Sequence, residues 1–209
     1  MAAEETGRVE AFSDGVFAIA MTLLVLDIKV PHELGGGGTL ARALAAQWPT
    51  YLAFLTSYAT ILIMWVNHHR LFTHIARWDD RLLFSNGALL LGVVLVPFPT
   101  ALVAEYLGHA GQTTAAMVYN GTFIVIAFCF NILWKTASRE GRLLRVDHDV
   151  EATRHITESY RFGPLFYIAA FAVGLVNVTA SLVLSLVLAV YFALPSRTAA
   201  GIATARTRS

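Results

Sequence analysis

Residues 162–196 read FGPLFYIAAFAVGLVNVTASLVLSLVLAVYFALPS, a run without a single charged side chain. As one straight helix it would extend roughly 50 Å at 1.5 Å per residue, nearly twice a hydrocarbon core of about 30 Å. It is therefore expected to fold back on itself, with the hairpin at the polar patch Asn177, Thr179 and Ser181. Working outward, four more blocks have the length and apolar content of a crossing: Phe12 to Val30, Trp48 to Asn67, Leu82 to Ala104 and Thr113 to Trp134. The fold class that follows is an all-α integral membrane protein with six transmembrane helices in one domain spanning 1–209. The helices are placed at about 8–30, 48–69, 80–105, 112–137, 160–177 and 179–196, with an inner linker at about 138–159 and a tail at 197–209.

The placement of Lys and Arg tests that count. Six crossings put thirteen of the 15 basic residues on one side and only Lys29 and Arg42 on the other. One missed crossing would scatter the later loops over both faces. The expectation is a multi-pass protein of the cell membrane with both termini cytoplasmic. The first residues, MAAEETGRVEAF, carry two glutamates where a signal peptide needs positive charge, so the first apolar segment is expected to be retained.

Composition agrees with the bilayer as solvent. The chain is 56% hydrophobic and 14% charged, against about 25% charged in soluble domains. With 13 Phe and 4 Trp it does not resemble a disordered chain. A net charge of +1 without any long basic run gives nucleic acid nothing to bind. Cys129 lies alone in an apolar run and can form no internal disulfide. No GxSxG, P-loop or HExxH pattern occurs, so a non-enzyme is expected. His68, His69 and His74 are one, five and six apart, which does not place imidazoles on one helical face, so no metal cofactor is expected from them. Pro97 and Pro99 should bend the third helix, and Gly35 to Gly38 should loosen the first outer loop.

Ionisable groups within a membrane are costly unless paired or hydrated. Asp14, a few residues into the first helix, needs a partner. Trp65, Asn67 and His68 at the matching end of the second helix, and Asn86 on the third, can supply one. Along GVFAIAMTLLVLDIKV, the residues Ile19, Thr22, Leu23, Leu26 and Val30 share one helical face, and Thr22 is its only polar group. Such a hydroxyl can equally be an ordinary packing residue bonded to its own backbone.

The stretch RVEAFSDGVFAIAMTLLVLDIKV contains Arg8, Phe12, Ser13 and Asp14 as R-x-x-x-F-S-D ahead of an apolar helix, and WVNHHRLF follows on the second helix. Together they resemble the prokaryotic members of the transmembrane protein 175 family of potassium channels, relatives of an endolysosomal channel. The resemblance implies a homotetramer embedded in membrane lipid, with the first helix of each subunit lining a central pore. It implies Ile19 as a hydrophobic constriction and Thr22 as a hydroxyl ring favouring K+ nearby. Leu23 and Leu26 would be further apolar rings. Arg8, Phe12, Ser13 and Asp14 would be structural, joined to Trp65, Asn67 and His68. The expected function is a passive potassium-selective channel. A small proton- or sodium-coupled secondary transporter is the alternative, with Pro97 and Pro99 marking a broken helix.

Overall fold

The structure, a computed structural model, describes residues 2–31, 38–145 and 150–193, with side chains placed for 6–31, 38–139, 141–145, 157 and 163–191. The expected tail at 197–209, and residues 35–37 of the glycine run, lie outside the described residues. Among those described, eight α-helices follow in order: α1 Ala2–Leu23, α2 Leu40–Ala46, α3 Trp48–Thr73, α4 Asp80–Leu95, α5 Pro97–Tyr106, α6 Gln112–Ser138, α7 Val150–Gly174 and α8 Val178–Ala193.

Several boundaries differ from the expected ones. α1 begins at Ala2 rather than near residue 8, and its outer end tightens into a 3-10 turn, Leu24–Asp27, instead of continuing as α-helix to Val30. The short α2, capped by the Thr39 hydroxyl accepting from the Arg42 N–H, occupies part of the expected loop. The third expected helix is divided at Val96, because Pro97 has no N–H to donate and crowds the preceding turn. The expected linker is helical from Val150 onward. The chain reverses after Gly174. Asn177 caps α8 through the Ala180 N–H (2.9 Å), while Thr179 and Ser181 lie inside α8 rather than in the turn.

Among the described residues, four stretches have the length and composition to cross a bilayer: Thr6–Asp27, Trp48–Thr73, Asp80–Tyr106 and Gln112–Ser138. Gly163–Gly174 and Val178–Tyr191, the stretches of α7 and α8 searched among the described residues, are apolar but shorter. The chain is a multi-pass membrane protein on the strength of the four.

The core sits where α6 packs against α4, α5, α7 and α8, with Trp134, Tyr119 and Phe123 fully buried. Gly92 on α4 makes room for the Ile126 side chain of α6, since a Cβ there would stand 2.8 Å from Ile126 Cγ1. At one end of the bundle the α3–α4 connection and the segment after α6 are joined. The Ala76 N–H reaches the Leu143 carbonyl (2.8 Å), the Arg145 N–H reaches the His74 carbonyl (3.0 Å), and Arg142 pairs with Asp79. That end carries Arg70, Arg77, Arg81, Lys135, Arg139, Arg142 and Arg145, and is called the basic end below.

Candidate functional site

α1 is the most peripheral of the four long spans: 22% of its apolar window is buried within the subunit, against 33%, 44% and 44% for the others. It lies against α3 and α4 with a narrow seam formed by Ser13, Phe17, Ala20 and Leu24, all completely buried. These positions repeat every three or four residues and so occupy one side of the helix. The opposite side is bare. Phe12 is 68% exposed, Ile19 58%, Leu26 62% and Leu23 39%, and Thr22 is exposed among them. Between Phe12 and Leu26, Thr22 is the only polar side chain on that bare side.

The Thr22 hydroxyl donates its proton to the Ile19 carbonyl, 2.8 Å away. The bond is to i−3, one residue nearer than the i−4 pattern expected from the sequence. A hydroxyl has one proton and two lone pairs, so this donation leaves the oxygen able to act only as an acceptor towards the exposed side. One turn nearer the N-terminus stands Ile19, which offers no polar atom. At the outer end the Lys29 ammonium is turned back onto the Leu26 carbonyl (2.8 Å), and Gln47 donates to the Lys29 carbonyl (2.9 Å), which fixes how the chain leaves the helix.

Behind this face, a chain of hydrogen bonds ties α1 to the bundle. Ser13 donates to the Val9 carbonyl (2.8 Å) and accepts from Asn86 Nδ2 (3.0 Å) on α4. Asn86 Oδ1 in turn accepts from His68 Nε2 (2.9 Å) on α3. His68 is 1% exposed, and its ring stacks on Phe72 at 4.4 Å and leans on Phe17 at 5.4 Å. A separate bond runs from the Trp65 indole N–H to Asp14 Oδ1 (2.8 Å). Ser13, Asp14, Trp65 and His68 are thus brought together, with Asn86 as the central link.

Three of the residues named with them stand elsewhere. Asn67 turns away from α1 and lines a cavity between α3, α6, α7 and α8 beside Thr60, Phe130 and Tyr167. Phe12 and Arg8 are exposed, and Arg8 makes no hydrogen bond or ion pair among the described residues. Two further polar clusters have no counterpart in the sequence reading. One fills the break at Val96: Thr100 donates to the Ser57 hydroxyl (2.7 Å), which lies 3.2 Å from the Tyr119 hydroxyl. The other joins Asn120 to Ser181 and Ser185. Only lone polar letters within apolar runs mark these positions, and such letters do not say which helices will meet.

Comparison with known proteins adds a second line. Residues 8–97, which hold α1, α3 and α4, match the family model described as endosomal/lysosomal potassium channel TMEM175. A potassium channel of Chamaesiphon minutus is 55% identical over 193 residues, covering 92% of this chain and 95% of that protein. A potassium channel of Streptomyces collinus is 47% identical over 191 residues, covering 90% and 91%. The crystal structure of a lysosomal potassium-selective channel TMEM175 homologue from Chamaesiphon minutus aligns with a TM-score of 0.82 at 52% identity, over 90% of this chain and 96% of that one.

Proposed function

This chain belongs to the TMEM175 family of channels, and we propose on that premise that it is a potassium channel whose conducting path is lined by α1. The observation that carries the proposal is the bare side of α1, apolar except for one outward-facing hydroxyl oxygen at Thr22. Six crossings per subunit, with α7 and α8 completing the count, and four subunits around an axis would bring four copies of that side together. Both termini then lie on the cytoplasmic, basic side of the cell membrane.

In this arrangement four Ile19 side chains form a waist that sheds water, so a hydrated cation passes only when the helices separate or rotate. Leu23 and Leu26 extend the apolar lining. Four Thr22 oxygens, each with its proton committed to Ile19, replace part of the hydration shell of K+. Neutral oxygens attract divalent ions less than a ring of carboxylates does. Side-chain hydroxyls are also fewer and softer than a stack of backbone carbonyls, so the preference for K+ over Na+ is modest. Ser13, Asp14, Trp65, His68 and Asn86 hold the helix in register from behind.

The break at Val96 gives the coupled-transporter reading its one structural feature. It is filled by neutral hydroxyls of Ser57, Thr100 and Tyr119, and the only carboxylates of α4, α5 and α6 are Asp80 and Glu105 at element ends. Without a carboxylate at that depth, proton or sodium coupling lacks its usual carrier.

The test is bi-ionic reversal-potential measurement on purified protein in liposomes, with K+ against Na+. Passive K+-favouring current is expected. Thr22→Val should move the permeability ratio towards one, and Ile19→Asn should raise resting conductance. No flux, uphill flux coupled to a pH gradient, or selectivity indifferent to Thr22 would overturn the proposal.

A further inference from the structure

Away from α1, the basic end holds an open cleft of about 400 Å³ between the first turn of α4 and the end of α6. Arg81, Lys135, Arg139 and Arg142 line it, with Asp79 as the one carboxylate among the described residues. That carboxylate is already engaged: Oδ1 accepts from the Leu82 N–H (2.9 Å) and Oδ2 from Arg142. The Arg81 and Lys135 side chains are exposed and form no hydrogen bond or ion pair among the described residues, although Arg81 stands within electrostatic reach of Asp79. The Thr136 hydroxyl, in the wall of the cleft, lies 3.4 Å from the Ser85 hydroxyl, which shows how closely α4 and α6 run here. The cleft therefore offers a surplus of positive charge at the point where two spans leave the bilayer.

What adjoins the cleft narrows the choice of anion. Phe84, one turn beyond Arg81 on α4, is 80% exposed. Ile132 and Phe128, three and seven residues before Lys135 and hence on its side of α6, are 54% and 48% exposed. Each unpartnered cation thus stands at the end of an exposed apolar strip that runs into the membrane. A soluble phosphate would use only the cations, and bare snorkelling would leave no reason for four cations to converge on one cleft. A molecule with an anionic head and hydrocarbon tails matches both parts.

We propose that this cleft binds the phosphate headgroup of an anionic phospholipid, with the acyl chains laid against Phe84, Phe128 and Ile132. The site lies on α4 and α6, away from the bare face of α1, and lipid retention is read without ion flux, so its failure leaves the channel reading standing. Native mass spectrometry of full-length protein from an equimolar mixture of phosphatidylglycerol and phosphatidylcholine tests it. Wild type should retain phosphatidylglycerol preferentially. Arg81→Gln with Lys135→Gln should cut that preference roughly fivefold per charge removed, following about 1 kcal/mol per basic residue at an anionic surface. Both side chains are exposed, so unchanged thermal unfolding should accompany the loss, and Arg42→Gln at the opposite end should change nothing. Equal retention of the two lipids by wild type, an unaltered preference in the double variant, or displacement of the lipid by millimolar inorganic phosphate would overturn the proposal.

Discussion

Two of the buried polar clusters that bind this bundle differ in what a side chain does when its partner is lost. In the cluster behind α1, Asn86 links Ser13 to His68 across three helices. In the distal cluster, Asn120 on α6 donates to Ser181 and accepts from Ser185 on α8, and Ser181 also donates to the Ala170 carbonyl (2.9 Å) on α7. All six side chains are 4% exposed or less. The serines have a fallback, because a hydroxyl in a helix can donate to its own backbone three or four residues earlier. An imidazole N–H cannot reach its own backbone carbonyl in that way. The proximal cluster is therefore the more brittle of the two, and it alone sits directly behind the proposed conducting face.

The largest effect is expected from breaking the brittle side. Asn86→Leu removes the acceptor of His68 and a donor to Ser13 without opening a cavity. It should lower stability by about 2 kcal/mol, measured by denaturant titration of detergent-purified protein. It should also alter K+ current, because α1 loses its tie to α4. A cost no larger than that of the matching substitution in the distal cluster, Asn120→Leu, would show that the proximal cluster is not the more brittle.

A smaller effect is expected in the distal cluster. Asn120→Leu should cost about 1 kcal/mol, since Ser185 can redirect to its own backbone and Ser181 keeps its bond to the Ala170 carbonyl, and should leave the K+ over Na+ permeability ratio as it was. Gly174→Ala probes the same place from α7: its added Cβ would stand 3.0 Å from Ser181 Oγ and 3.3 Å from Asn120 Nδ2. A change of selectivity in either variant would break the division of labour between the clusters. Trp65→Phe ranks next. It removes one donor from Asp14, which is partly exposed and can be hydrated, so a loss of about 0.5–1 kcal/mol is expected, with little change in unitary current.

The contrast also explains what could be read from the sequence. Membrane residence followed from the apolar blocks, and the shared face of Ile19, Thr22, Leu23 and Leu26 followed from three-and-four spacing, because both are properties of one helix; which side of α1 is buried depends on its neighbours and was not legible. Ser13, Asp14, Trp65 and His68 were legible as a group because a carboxylate and a histidine inside apolar runs require partners, and antiparallel neighbours fix the depth. Asn67 was misplaced by one step of 100° along α3, enough to turn it from α1 to the far cavity. The Asn120 cluster was illegible because it depends on which of six apolar helices meet, and hydropathy does not encode that. The division at Val96 was legible as a bend, but the hydroxyls of Ser57, Thr100 and Tyr119 that satisfy it come from three helices and carry no shared pattern.

The smallest expected effect lies outside both clusters, at the junction of the α3–α4 connection with the segment after α6. The Leu82 N–H and then Arg142 hold the Asp79 carboxyl below its usual range. A carboxylate whose folded value is depressed adds stability that is fully present above its unfolded value near 3.9 and fades as pH falls through the folded one. Acidification below about pH 4 should therefore loosen this junction, while changes between pH 6 and 8 leave it intact. Because Arg142 is largely exposed and Asp79 only half-buried, screening keeps the effect to a few tenths of a kcal/mol. Asp79→Asn retains a side-chain oxygen to cap α4 but loses the ionic partner of Arg142, so it should abolish this acid dependence at nearly constant stability near neutrality. Amide hydrogen exchange of residues 76 and 145, whose N–H groups are held across the junction, reads the difference locally. Equal acid sensitivity in wild type and Asp79→Asn would place the titrating group elsewhere and leave the junction to its backbone hydrogen bonds alone.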